Sequence, residues 1–387
     1  MRRRATTSAA LATMLCVVAA SCGHAGDPVA ATSNTPALPR LRGALSTAPA
    51  STSSSESVAP PSTVPAPPIY PLTGQLIDDP NLANHPAIVV KIDNHPDARP
   101  HTGLRYADIV YELKVEGITR FAAIYHSQDA DPVGPVRSAR SSDIDIVSNL
   151  NKPYLLWSGG NPGVTGQVKG AEAAGLLVDL SEDVATPFYF RGTDRQAPHN
   201  LYAHMTAIRQ QMALAGGTPP FPMFAYRNTD APQPSTAVDV PGMTIDFTGG
   251  VKVNWVWDAE RNGWDRFQVD QSHPVGRDAF DDSDGAQVAP QNVVIMDTLY
   301  GVSEVDARSP KAFTVGEGDA LVLTGGKGYN AHWKRDSVIS MPILTDADGN
   351  QIGLTPGKTW IELPPAFGPA KIPIGPGEAY QYLQRRS

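Results

Sequence analysis

Ala87-Ile-Val-Val-Lys-Ile92, followed at once by Asp93-Asn-His-Pro96, is the stretch from which the fold can be read. Apart from Lys91 the first run is apolar, which fits a strand buried on both faces, and the polar, proline-ended tetrapeptide fits the turn that stops it. Further on, Ile109, Tyr111, Leu113 and Val115 alternate with Glu112, Lys114 and Glu116, and Gly117 allows a turn into Arg120-Phe-Ala-Ala-Ile-Tyr125, a hairpin pattern. Tyr154-Leu-Leu-Trp157 reads as another short strand, with the glycine-rich Ser158-Gly-Gly-Asn-Pro-Gly163 and a helical stretch through Ala174 behind it. Asn200 fits the cap of a helix whose stripe is Leu201, Met205, Ile208 and Met212, with Gly216 as its stop.

These mixed elements make residues 70–215 an α+β domain, mixed α/β in character. Breaker-rich sequence, Gly216-Gly-Thr-Pro-Pro-Phe-Pro222 and then Ala231-Pro-Gln-Pro-Ser235, marks residues 216–245 as an interdomain linker. Residues 246–387 read as a smaller, mainly β domain. There Val251, Val253, Trp255 and Trp257 alternate with Lys252, Asn254 and Val256, and Arg261-Asn-Gly263 turns into a strand over 264–269. Later strands fit 293–296 and 320–323, with a turn at Asp348-Gly349.

Outward from the folded part, the amino end reads Met1-Arg-Arg-Arg4 and then an apolar stretch over 9–20, too short to span a bilayer and laid out as a signal peptide over 1–21. Ala19-Ala-Ser-Cys-Gly23 resembles the lipobox at which bacterial prolipoproteins are acylated, which would anchor the chain through Cys22 on the extracytoplasmic face of the cell membrane. A general signal peptidase cutting in the same run would instead leave a soluble secreted protein. Residues 22–69 form an Ala/Ser/Thr/Pro tether, with only Asp27, Arg40, Arg42 and Glu56 charged, and its reach is roughly 35–40 Å.

The two cysteines are Cys16, inside the apolar segment, and Cys22, so thiol nucleophiles and zinc-thiolate sites are excluded from the folded part. Removing the three positive charges of Arg2, Arg3 and Arg4 from the formal −8 leaves −11, a poor match to nucleic acid.

Chemistry concentrates in a few loops. Lys91, Asp93, Asn94, His95, Asp97, Arg99 and His101 crowd the point where the buried strand emerges, where α/β folds place ligand sites. On turn statistics alone a plain polar turn, its Asp and Asn satisfying local amides, is the favoured account. Gly134-Pro-Val-Arg-Ser-Ala-Arg140 sets two arginines three apart before a helix start, suited to phosphate or carboxylate, or to structural pairing with Glu112 or Glu116. His199 stands at an expected helix start, where the dipole favours the neutral imidazole. Gly159-Gly160-Asn161-Pro162-Gly163 lacks both P-loop and dinucleotide spacing and reads as a strand-to-helix turn. H-E-x-x-H, G-x-S-x-G and S-x-x-K patterns are absent from the sequence.

With these motifs in view, the chain resembles the YerB-like bacterial lipoproteins, a family of two successive domains of unknown function. The resemblance rests on Pro71-Leu-Thr-Gly74, Ile92-Asp-Asn-His-Pro96 with Arg99-Pro100, Ala107-Asp-Ile-Val-Tyr-Glu112, Glu116-Gly-Ile-Thr-Arg120, Gly134-Pro-Val-Arg-Ser-Ala-Arg140 and Pro198-His-Asn-Leu-Tyr202. In the second domain it rests on Asn292-Val-Val294, Trp333-Lys-Arg-Asp-Ser337 and Leu354-Thr-Pro-Gly-Lys-Thr-Trp360. It implies an architecture and an address, not a reaction.

Three functions remain open. The first binds an anionic or sugar-containing cell-wall component through Arg99, Arg137 and Arg140, with Asp93, Asn94, His199 and Asn200 completing the site. The second is a wall glycan or peptide hydrolase or transferase with Asp93, Glu112, Glu116 and His199 as catalytic candidates. No cofactor or metal site is assigned, although Asp93 and His199 would hold the ion if that enzyme were metal-assisted. The third is a scaffold with Trp255, Trp257 and Trp264 as an exposed contact, against which core packing is the simpler account of large aromatics.

Overall fold

The structure, a computed structural model, describes residues 67–384 apart from 213–214, 216, 229–235, 249, 270–277 and 367–370. The signal segment, Cys22, most of the tether and the Gly216 helix stop lie outside the described residues.

The first half supplies β1 (Ile88–Ile92), β2 (Ile109–Lys114), β3 (Thr119–Tyr125), β4 (Tyr154–Leu156), β5 (Val178–Asp179), β6 (Tyr189–Arg191) and β7 (Leu201–Ala203). The second half supplies β8 (Val238–Asp239), β9 (Gly242–Asp246), β10 (Lys252–Asp258), β11 (Gly263–Val269), β12 (Asp278–Ala279), β13 (Asn292–Met296) and β14 (Leu299–Ser303). It continues with β15 (Asp306–Phe313), β16 (Gly316–Thr324), β17 (Lys327–Arg335), β18 (Ile343–Thr345), β19 (Thr359–Leu363) and β20 (Lys371–Ile374). The helices are α1 (Pro80–Ala83), α2 (Ser141–Val147), α3 (Pro162–Ala173), α4 (Met205–Met212) and α5 (Pro376–Leu383).

Strands from both halves join in one sheet, ordered β18-β17-β16-β13-β19-β2-β3-β1-β4-β5, with β8 added along β17. The seam is β19, parallel to β13 on one side and to β2 on the other, with Glu362 beside Glu112. The chain therefore remains one sheet across the expected linker, within which Met223 and Phe224 are themselves buried.

Two-sided burial explains why β1 reads as an unbroken apolar run. Ile88, Val90 and Ile92 pack with Ile245, Val253, Trp255 and Trp264 of a second sheet, β12-β11-β10-β9-β20. Val89 turns the other way, to Ile146 and Val147 of α2 and Val164 and Val168 of α3. The pleat, with its period of two, carries this alternation past the strand end, so Asp93 and Asn94 leave on opposite faces. Trp255 and Trp264 are buried between the sheets and Trp257 is half-buried against Trp264 at 5.1 Å, so they form core rather than the exposed contact of the scaffold reading.

Most of the expected elements are present, including the β2-β3 hairpin and the helix after Asn161. The helix expected from Asn200 is corrected: Leu201 lies in β7, paired with β6, its carbonyl accepting from the Val136 amide at 2.6 Å, and α4 starts at Met205. A strand end running into a helix leaves the same apolar spacing as one longer helix, and pairing with a distant loop decided between them. His199 consequently sits in a turn before a strand, not at a helix start.

Candidate functional site

Strands β1, β4 and β5 run parallel, and Asp93, Ser158 and Glu182 follow near their carboxyl ends. The Arg137 segment is stitched between the first two: its amide donates to the Lys91 carbonyl at 2.8 Å, and its carbonyl accepts from Ser158 at 3.1 Å. This is the edge at which open α/β sheets gather ligands.

At that edge Asp93, 1% exposed, is the hub. Its Oδ2 lies 2.8 Å from His199 Nδ1 and 3.3 Å from Arg137 Nε, while Oδ1 accepts the His95 amide at 3.1 Å. Burial alone would raise the Asp93 carboxyl, but Arg120, the His199 bond, the His95 amide and Arg137 together hold it below the usual carboxylate range. An ionised carboxylate can only accept, so His199 donates to Asp93 through Nδ1. The His199 ring stacks on that of His95, centroids 4.4 Å apart, and His95 Nδ1 lies 3.5 Å from Asp97 Oδ2. Arg120 is buried beside them and donates to the Ser138 carbonyl at 3.3 Å. One turn inward, Lys91 and Asp143 form a sealed pair at 2.6 Å that ties β1 to α2.

Arg140 and Glu116 occupy a neighbouring rim. Glu116 receives Arg140 Nε at 3.0 Å and Nη2 at 2.8 Å and also bonds Ser309, and these contacts overcome partial burial to bring its carboxyl down to about 2. With Ser138, Gly160, Asn161, Asp306 and Arg308 they line an open cavity of about 510 Å³. The glycine-rich segment is an ordinary turn, with Asn161 capping α3 through the Val164 amide at 2.8 Å.

The other face of the same strands holds Asn94, Arg99 and Glu112. Asn94 bonds Thr119 at 2.7 Å and Gln268 at 3.2 Å and receives Arg99 Nε at 3.1 Å, so Arg99 is engaged in holding the turn. Thr119 donates to Glu112 at 2.7 Å, Arg266 Nη2 reaches both Glu112 oxygens at 3.0 and 2.8 Å, and Trp360 Nε1 adds a bond at 3.1 Å. Glu362, the lateral neighbour of Glu112, accepts from Trp255 at 2.7 Å. Glu112, Arg266 and Glu362 are all fully buried. Burial, then the Glu112 charge, pushes the Glu362 carboxyl far up, so it is protonated and the trio reduces to one ion pair plus a neutral acid. The Arg266 guanidinium lies 3.9 Å from the centre of the Phe280 ring.

Of the residues singled out in the sequence, the structure brings Asp93, His95, Asp97, Arg137 and His199 together, and it adds Arg120. Asn94, Arg99 and Glu112 belong to the opposite face, and Asn200 is spent on Gly192 and Arg195 carbonyls and on Arg191. Arg266 and Glu362 escaped the sequence reading, because they meet Glu112 only after β19 and β11 have packed. The available signal was a glutamate inside the apolar run Trp360-Ile-Glu-Leu363, a charge that a buried strand must pair or neutralise.

Residues 72–218 match the family described as protein of unknown function (DUF3048) N-terminal domain, and residues 243–361 match its C-terminal domain. YerB of Bacillus subtilis (strain 168), a protein named as a lipoprotein, is 31% identical over 313 residues, which cover 79% of this chain and 89% of YerB. The chain belongs to the YerB family. The crystal structure of the YerB protein from Bacillus subtilis superposes with a TM-score of 0.65 at 24% identity, over 79% of this chain and 99% of that one, so the YerB fold is shared. Among the described residues, no helix is long and apolar enough to cross a membrane.

Proposed function

We propose that this protein is a cell-envelope lipoprotein, anchored at Cys22, whose folded body binds an anionic cell-wall component at the Asp93, Arg137 and His199 cluster. The anchor is supported by the lipobox-like Ala19-Ala-Ser-Cys-Gly23 and by the name of the relative. Changing Cys22→Ser should move the protein from the membrane fraction to the medium; retention in the membrane would refute the anchor.

The observation that carries the binding reading is a local excess of cation in an acidic chain. Buried Arg120 and part-exposed Arg137 face the single buried carboxylate of Asp93, whereas Arg140 is already matched by Glu116. A phosphate or carboxylate presented at Arg137 would complete its fork. Of the three arginines that the sequence offers for this role, Arg137 is the one we assign, because donors of Arg99 and Arg140 are engaged by Asn94 and Glu116. Loss of one charge-assisted bond, about 1.5–3 kcal/mol, corresponds to roughly a 10–100-fold drop in affinity. Arg137→Ala should weaken binding of the full chain to purified wall fragments by that factor, and unchanged binding would sink the reading.

A second reading rests on the same geometry. A buried carboxylate bonded to one imidazole nitrogen, with the other nitrogen free, is the arrangement of a general base, which keeps a wall hydrolase in view. Release of soluble fragments from wall polymer, lost in His199→Ala, would favour it over simple binding. Glu112, sealed with Arg266, offers no acid or base to such a substrate.

A further inference from the structure

His95, Asp97 and His199 each present one ligand atom, and these atoms lie within 4.8 Å of one another. We propose that they bind a single divalent first-row transition ion, with Asp93 orienting His199 from behind. The bond from His199 Nδ1 to Asp93 is the carboxylate–histidine arrangement that fixes the tautomer of a metal-bound imidazole and leaves Nε2 for the ion. Two imidazoles and one carboxylate suit zinc, iron, manganese or nickel, and not calcium or magnesium, which take oxygen ligands. Three protein ligands leave coordination positions for water or a bound anion.

The distances call for a small adjustment. A tetrahedral ion about 2.1 Å from each ligand places ligand atoms about 3.4 Å apart, so the three must draw in by an ångström or so. His199 is pinned by Asp93, but His95 and Asp97 occupy a short outer turn over Pro96–Ala98, where their side chains are 41% and 74% exposed. They have room to swing. The two rings are stacked, centroids 4.4 Å apart, and an imidazole binds an ion in its own plane, so the His95 ring must also turn as it draws in.

Charge permits it as well. The buried part of the cluster carries one positive charge in excess, Arg120 and Arg137 against Asp93, and exposed Asp97 on the outer turn offsets it, so a dication held on that turn would meet a formal sum of zero and would then reinforce capture of an anion at Arg137. The metal inference shares His199 with the binding proposal but does not depend on it.

The test is titration of untagged, chelator-stripped full-length protein with Co²⁺, read by visible d–d absorption, and with Zn²⁺ by calorimetry. Saturation at one equivalent is expected, with affinity falling at least about 100-fold in His95→Ala and His199→Ala and about 10–100-fold in Asp93→Asn. Because His95 and Asp97 lie on an exposed turn, His95→Ala and Asp97→Ala should keep the wild-type melting temperature and decide the matter even if His199→Ala unfolds. Absence of saturable binding, or binding that His95→Ala and Asp97→Ala leave intact, overturns the inference. Arg137→Ala should spare metal binding while losing the wall ligand, so the two proposals fail separately.

Discussion

Strands β1, β2 and β3 carry a carboxylate–arginine cluster on each face, and the two differ less in composition than in cover. On the face toward the second sheet, Glu112, Glu362 and Arg266 are sealed by Trp255, Trp360 and Phe280. On the face toward the helices, Asp93 is nearly as buried, yet its partners Arg137 and His199 reach the surface past a three-residue turn. A charge walled in by aromatic rings can respond only to folding. A charge whose partners touch water can also respond to a ligand, so depth of the partners, rather than of the carboxylate, separates scaffold from site.

The sharpest way to break that distinction is to neutralise both glutamates. In Glu112→Gln with Glu362→Gln together, Arg266 would be a buried charge with no counterion, and urea unfolding should show a loss of about 3–5 kcal/mol. Glu112→Gln alone should cost clearly less, because Glu362 can ionise in its place. A double-variant loss no larger than that of the single would show the trio is not coupled.

Next in size is Asp93→Asn, expected to cost about 1–3 kcal/mol through a weakened bond to His199 and loss of the ion pair with Arg137. Since the folded Asp93 carboxyl lies below its ordinary value, its contribution is present above the unfolded value and lost as the pH falls through the folded one. The variant should therefore lose less stability than wild type on acidification below about pH 4.

Glu362→Gln alone sharpens the comparison from the other side. A carboxyl raised on folding adds stability that is complete below its unfolded value and lost as the pH climbs toward the folded one. Glutamine does not titrate, so melting curves of this variant should match wild type near pH 4 and rise above it toward alkaline pH. The smallest effect belongs to Arg140→Ala at the open rim, where a part-exposed pair is worth about 0–1 kcal/mol. A loss above about 2 kcal/mol would mean that the rim is as structural as the core.

Local pattern made the hairpin, β1, β4 and the helix after Asn161 legible, because alternation and capping are properties of neighbours in sequence. The start of α4 was not, since only pairing of Leu201 and Ala203 with segments far along the chain distinguishes strand from helix there. The polar turn after β1 announced a candidate site, but it could not announce that Asp93 and Asn94 part to opposite faces. Nor could it say that Arg99 would turn back on Asn94 while Arg137 went to Asp93. Arginine forks read alike in sequence, and only the fold assigns their carboxylates.

The seam formed by β19 has a consequence for the order of events during synthesis. Until residues 359–363 emerge, the hairpin strand β2 has an open edge with unpaired amides and carbonyls, and Glu112 faces Arg266 without the tryptophan that completes its cover. A ribosome must deliver about 250 residues beyond β2 before the centre of the molecule can close, a long-range pairing of the kind that slows folding and leaves an edge open to wrong partners. For such a topology, closing in one act once β19 is available is the safer course.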